Sequence, residues 1–183
     1  MLGLTATPYR RDGHQPIIHM QCGPICHQIK QKDFSAHISS SQVIMRPTEF
    51  DYPWNDDSRI SDLWSQLLKD GQRNDKIVDD ILANVDEGRF PLILTERREH
   101  LEILAERLQK KIDFLAVLYG GMGRKNQRKI FEQIKENNDN SPRAILATGS
   151  YIGEGFDEPR LDTLFLTMPS SFKGKIVQYA GRL

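Results

Sequence analysis

The chain has 183 residues, 38% hydrophobic and 27% charged, with Lys+Arg and Asp+Glu both at 25. That length suits one domain, or one domain with a piece of another, and the apolar share allows a real core under a wet surface. A formal net charge of zero excludes a global basic field for nucleic acid, so any such site must be a local patch. No apolar run approaches the roughly 18–20 residues of a membrane span.

Residues 1–7 read as a short buried strand that ends at Thr5-Ala6-Thr7-Pro8, because Pro8 cannot continue a ladder. Tyr9 to Gly13 is a polar, basic loop, and Pro16 to Gln21 is a second short apolar run, strand or loop. Cys22 and Cys26, with His19 and His27 close by, have C-x3-C spacing instead of a C-x2-C knuckle, and no second ligand pair follows. Free thiols are the expectation there, with no metal site. Two cysteines also cannot build a disulfide framework, so a reducing, cytoplasmic setting is expected. Residues 28–41 are polar and unassigned, Val43 to Phe50 alternates loosely as a strand would, and Asp51 to Asp57 is a linker containing Trp54.

Ile60, Leu63, Trp64, Leu67 and Leu68 fall on one helix face, which Gly71 breaks. Ile77, Val78, Ile81, Leu82 and Val85 make a second amphipathic helix, with Asn74 or Asp75 as its N-cap and Gly88 as its stop. The pattern then becomes regular. Strands are predicted over 91–95, 114–118, 144–147 and 161–166, with helices over 101–108 and 128–135 between the first three and a last helix over 172–180. Alternation of this kind means parallel pairing with crossover helices, and hence a three-layer α/β/α sheet of RecA-like type.

The stretch Arg143 to Asp157, RAILATGSYIGEGFD, organises the rest. Its apolar start suits a fully buried strand. It then breaks at Thr148-Gly149-Ser150 into a loop with Gly149, Gly153 and Gly155, and with Glu154 and Asp157 at its far end. Glycines allow close backbone approach to a ligand, and open α/β sheets bind ligands at the carboxyl ends of their strands. Thr5 and Thr7, then Thr95, Glu96 and Arg97, then Gly120 and Gly121, and Thr148 to Asp157 all follow strands in this way. In a parallel sheet those tips share one rim. Hydroxyls, free main-chain N–H groups and Arg97 collected there suit phosphate oxygens. The basic run Arg124, Lys125, Arg128 and Lys129 at a helix start is either a solvated face or a phosphate contact. Trp54 and Trp64 read as packing residues.

Five stretches now stand in order: LGLTATP at 2–8, LILTER at 92–97, LYGGMGRKNQRK at 118–129, ILATGSYIGEGFDEP at 145–159 and QYAGRL at 178–183. They resemble motifs III, IV, the segment after IV, V and VI of superfamily 2 helicases. The branch is that of the excision-repair and restriction translocases, because GLTATP and Gln178 differ from the SAT and the histidine of DEAD-box proteins. The resemblance implies that residues 1–50 are the end of a first RecA-like lobe with its connecting segment, and residues 51–183 a C-terminal RecA-like lobe. It implies that Thr7, Gly155 and Asp157 face the nucleotide, and that Thr95, Arg97, Gly120, Gly121 and Thr148 face the nucleic-acid backbone. Gln178 and Arg182 match the catalytic motif VI, with Arg182 resembling an arginine that reaches the γ-phosphate of ATP held on the first lobe.

The expected function is thus one lobe of an ATP-dependent helicase or translocase acting on DNA, with ATP and magnesium as cofactors of the intact protein and none on this piece. Its expected partners are DNA and the N-terminal lobe of the same protein, with no membrane. The chain contains no G-x-x-x-x-G-K-[ST] and no DExH motif, begins in mid-strand, and ends one residue after Arg182. A piece of a longer protein, not catalytic alone, is therefore expected. Two alternatives stay open: a non-enzymatic RecA-like binding or scaffolding module, and an RNA-directed helicase.

Overall fold

The computed structural model describes residues 15–27, 42–137, 141–152 and 158–169. The expected strand at 1–7 and helix at 172–180 lie outside the described residues, as do Thr7, Gly155, Asp157, Gln178 and Arg182. The chain divides into two units, Met1–Thr48 and Glu49–Leu183.

In the first unit, the apolar run at 16–21 is a helix, α1 (Gln15–Cys22), instead of a strand or loop. Pro16 sits in its first turn, where no intrahelical N–H is needed. Gly23, at φ +80, closes it by donating its N–H to the His19 carbonyl at 2.8 Å. The strand expected at 43–50 is absent: residues 42–50 belong to no helix or strand. Val43, Ile44 and Met45 are exposed, and an alternating segment becomes a strand only where a partner ladder satisfies it.

In the second unit, α2 (Ile60–Lys69) and α3 (Gly71–Asp86) precede β1 (Pro91–Thr95), α4 (Arg98–Leu108), β2 (Phe114–Leu118), α5 (Arg124–Glu136), β3 (Arg143–Thr148), a single turn α6 (Gly149–Ile152) and β4 (Thr163–Leu166). One expectation needs correction at α3. Gly71 does not leave a gap before a cap at Asn74 or Asp75; it is the first residue of the helix. Asp70 is the N-cap, its carboxylate accepting from the Arg73 N–H at 3.1 Å. An extended residue with a short acceptor satisfies one orphan donor immediately, so the helix starts a turn earlier than its apolar stripe. Asn74 is thereby carried to the buried side of the first turn. At the other end Gly88, at φ +80, follows the last turn as expected.

The strands form one sheet in the order β2-β3-β1-β4. All three pairings are parallel, with Leu92 beside Ile145 and Leu164, and Ala116 also beside Ile145. β1 and β3 are buried along their whole length, which fits their unbroken apolar sequence. Their side chains alternate between two cores. Leu92, Leu94, Ile145 and Ala147 pack with Ala116, Leu118 and Ile134, joined by Ile130 and Phe131 of α5. Ile93, Ala144 and Leu146 pack with Val78, Ile81 and Val85 of α3 and Leu101, Leu104 and Leu108 of α4. Helices thus cover both faces, giving the three-layer α/β/α architecture. A third cluster joins Leu67, Leu68, Trp64 and Phe50 to Met168, so Trp64 packs as expected. Trp54, expected to pack as well, is instead exposed, with its ring against the edge of Tyr52 at 5.8 Å between centroids.

The residues that follow the Gly153–Asp157 stretch are anchored firmly. Arg160 donates to the carbonyls of Ile134 at 2.6 Å and Asn137 at 3.2 Å, at the end of α5. It also pairs with the buried Glu158 at 2.7 and 3.0 Å. Hydrogen bonding from Arg160 is the main reason the Glu158 carboxyl lies below its usual range. Arg143 stacks over the Phe90 ring at 4.6 Å, with Arg160 on it at 5.8 Å.

Candidate functional site

Four strand tips lie along one rim at the carboxyl edge. The register sets Thr95 beside Thr148, and the Gly120 N–H donates to the Thr148 hydroxyl at 3.3 Å. Thr167, just after β4, donates both its N–H and its hydroxyl to the Leu94 carbonyl, at 3.0 and 2.9 Å. Thr95, Gly120 and Thr148, far apart in the chain, are therefore neighbours, and Arg97 and Gly121 continue from the same tips.

The threonines face inward, however. Thr95 is 1% exposed, Thr148 6% and Thr167 3%. Their hydroxyls take protein partners: those of Thr148 and Thr167 fasten strand ends to each other, and that of Thr95 ties the β1 tip to α4. What the rim turns to solvent is different: Glu96, Arg97, Gly120 and Gly121 are exposed, as are Arg124, Lys125, Arg128 and Lys129. The last four stand at positions i, i+1, i+4 and i+5, on one face of the first turns of α5. Arg98 lies over the Tyr119 ring at 4.3 Å and pairs with Glu102 at 2.9 Å. A guanidinium on an aromatic face at the surface contributes about 0.5–1 kcal/mol, enough to hold the β2 tip against the start of α4.

Gly121 has φ +86 and nothing within 4 Å of where a Cβ would stand. The constraint is conformational alone. Gly121→Ala is expected to lower stability by about 1 kcal/mol, read as a lower midpoint in urea unfolding with an unchanged slope. Glycine is needed here for the turn, and space around it stays open toward the rim.

Beneath Thr95 lies a buried polar chain that sequence reasoning missed. The Thr95 hydroxyl meets His100 Nδ1 at 2.9 Å. His100 Nε2 meets Asn74 Oδ1 at 3.0 Å, and Asn74 Nδ2 donates to the Leu68 carbonyl at 2.8 Å. His100 is fully buried and Asn74 is 1% exposed. Burial, then the charges of Arg73 and Arg107, push the His100 pKa down to about 4. Both arginines are themselves engaged: Arg73 donates to the Thr167 carbonyl and Arg107 to Asp75. The available signal was position: His100 stands four and eight residues before Leu104 and Leu108, on the buried stripe of α4.

Among the described residues no group of three His, Cys, Asp or Glu side chains stands together as a metal site would. None of the described helices is long and apolar enough to cross a membrane.

A parallel sheet covered on both faces, with a rim of converging tips, defines a RecA-like α/β lobe. Residues 73–183 match the helicase conserved C-terminal domain, and the chain belongs to that family. The Transcript termination protein A18 of Yaba-like disease virus is 30% identical over 120 residues, which cover 64% of this chain and 24% of that protein. The protein of that name from Cowpox virus (strain Brighton Red) is 25% identical over 190 residues, covering 98% of this chain and 37% of its own. The chain thus spans about a quarter to a little over a third of the relatives it matches. Among solved structures, T4 UvsW aligns with a TM-score of 0.56 at 16% identity, over 69% of this chain and 25% of that one. The C-terminal part of the Fun30 ATPase domain aligns at 0.51 and 20% identity, over 60% and 35%. At those identities the likeness is one of fold.

Proposed function

We propose that this chain is the C-terminal lobe of an ATP-dependent motor that moves along a DNA strand. The supporting observation is the single rim on which Thr95, Arg97, Gly120, Gly121 and Thr148 gather, beside the exposed basic start of α5, in a chain of the helicase C-terminal family. With the threonine hydroxyls occupied, contact with phosphate oxygens runs through the main chain at the tips and through Arg97, Arg124, Lys125, Arg128 and Lys129. Such contacts neutralise phosphates without reading bases, so binding is sequence-independent and falls steeply with salt.

In this reading ATP and magnesium sit on the N-terminal lobe of the same protein, and Gly155, Asp157, Thr7, Gln178 and Arg182 complete the nucleotide cleft. ATP draws the lobes together, hydrolysis releases them, and this lobe shifts its grip along the strand, in the cytoplasm. The relatives' name, transcript termination protein, favours a second reading in which the same motor acts on a transcription complex.

The test is ATP turnover of the full-length protein with single-stranded DNA, duplex DNA and single-stranded RNA, each titrated at two salt concentrations. Stimulation by DNA that weakens as salt rises is the expected result. Stimulation by RNA alone moves the substrate to RNA, and none at all favours a scaffolding module.

A further inference from the structure

The tautomer of His100 follows from the chain of contacts beneath the rim. The Leu68 carbonyl can only accept, so the Asn74 amide must turn its nitrogen there, at 2.8 Å. That leaves Asn74 Oδ1 facing the ring at 3.0 Å, and Nε2 must carry the proton. Nδ1 is then bare and accepts the Thr95 hydroxyl proton at 2.9 Å. With its proton committed downward, Thr95 Oγ1 turns a lone pair toward the main-chain N–H of Arg97, 3.5 Å away. Every donation runs in one direction, from the tip of β1 through α4 and α3 to the end of α2.

We propose that His100 is a positioning residue for the nucleic-acid contact: as the Nε2–H tautomer it pins the Thr95 hydroxyl, whose oxygen holds the Arg97 N–H, and so sets the turn at Thr95-Glu96-Arg97 from which the exposed Arg97 side chain meets the strand. This rests on the nucleic-acid reading above. A neutral ring with one fixed donor and one fixed acceptor does this in a way that neither a hydroxyl, free to rotate, nor an apolar side chain can. Arg73, one residue from Asn74, holds the Thr167 carbonyl, so the first turn of α3 steadies the tips of both β1 and its neighbour β4. The corner between α2 and α3, remote in sequence from every rim residue, is thus the support on which the rim is set.

Two substitutions separate positioning from packing. In H100N the amide oxygen lies where Nδ1 was, keeping an acceptor for Thr95 and losing the bond to Asn74. In H100Q the amide nitrogen reaches the Nε2 position, keeping the bond to Asn74 and losing the one to Thr95. Each gives up one hydrogen bond, so both should melt lower by similar amounts. The first readout is amide hydrogen exchange over residues 95–98 of the full-length protein without nucleic acid. Exchange should rise about tenfold in H100Q, the worth of one lost hydrogen bond, and little in H100N. The second is the single-stranded DNA concentration giving half-maximal ATP turnover, which should rise about tenfold in H100Q and little in H100N.

If H100Q does not fold, T95V removes the same bond from the other side and should give the same two results. Equal exchange in both variants, or exchange that tracks melting temperature alone, overturns the positioning role. Exchange as expected, with DNA stimulating neither the variants nor the parent, leaves His100 setting the turn but removes DNA as what the turn meets, and so overturns the proposal as stated.

Discussion

Arg182→Ala in the full-length protein is expected to lower nucleic-acid-stimulated ATP turnover about a thousandfold, with thermal unfolding unchanged. The reason is where charge develops. In phosphoryl transfer the protein forms few covalent bonds and acts chiefly by placing fixed charge against the equatorial oxygens of the transferred group. A guanidinium supplied from the second lobe does so only when the lobes have closed, which ties turnover to movement. A thousandfold loss corresponds to about 4 kcal/mol of transition-state stabilisation. Arg182→Lys should restore little, because a point charge on a flexible stem does not reproduce the planar fork. Turnover at saturating ATP and DNA is the measurement, and a rate within a factor of a few of the parent removes Arg182 from this role. Arg182 lies outside the described residues, so the prediction stands on the QYAGRL match at 178–183 and on membership of the helicase C-terminal family.

The second large effect is on stability in mild acid. His100 is neutral in the folded lobe, its pKa pushed down from 6.5 to about 4, while in the unfolded chain it titrates near its ordinary value. Below pH 6.5 the unfolded state takes up a proton that the folded state refuses, so the contribution of His100 is whole above that pH and is lost as pH falls toward about 4. A shift of that size is worth about 3 kcal/mol. Glu158 adds to the trend lower down: its depressed pKa means that its contribution is present above the unfolded value and is lost as pH falls through the folded one. Urea unfolding of the parent and of H100N across this range separates the two. The variant should keep the Glu158 component and lose the steeper fall between neutral pH and about pH 4.5. If the difference between the proteins does not change with pH, the ring is not held neutral by its surroundings.

These two predictions draw on different sources, and the contrast extends to the whole molecule. Local pattern alone located α2, α3, α4, α5 and all four strands of the sheet: the helices by an apolar stripe that repeats every 3.6 residues, the strands by short apolar runs bounded by turn residues. The unbroken apolar runs at 91–95 and 144–147 announced central strands of a parallel sheet, since only a strand covered on both faces can afford them. From that arrangement the meeting of Thr95, Gly120 and Thr148 on one rim follows, and the family can be read from motif order. Local reading failed where a local pattern lacked its distant partner or carried an unnoticed cap. Val43 to Phe50 alternates and yet forms no strand, Pro16 to Gln21 is helical with Gly23 closing the helix, and Asp70 starts α3 a turn early.

Sequence by itself therefore determined the three-layer α/β architecture, the helicase C-terminal family and the meeting of Thr95, Gly120 and Thr148 on one rim. Tertiary structure alone decided what the threonines do and what holds them. Thr95 and His100 are five residues apart, but His100 and Asn74 are 26 apart and Thr167 and Leu94 73 apart. A hydrogen bond between single polar groups at such separations leaves no repeat in the chain. It exists only once packing has brought the partners into one dry interior, where each donor must find an acceptor or cost the fold its desolvation energy.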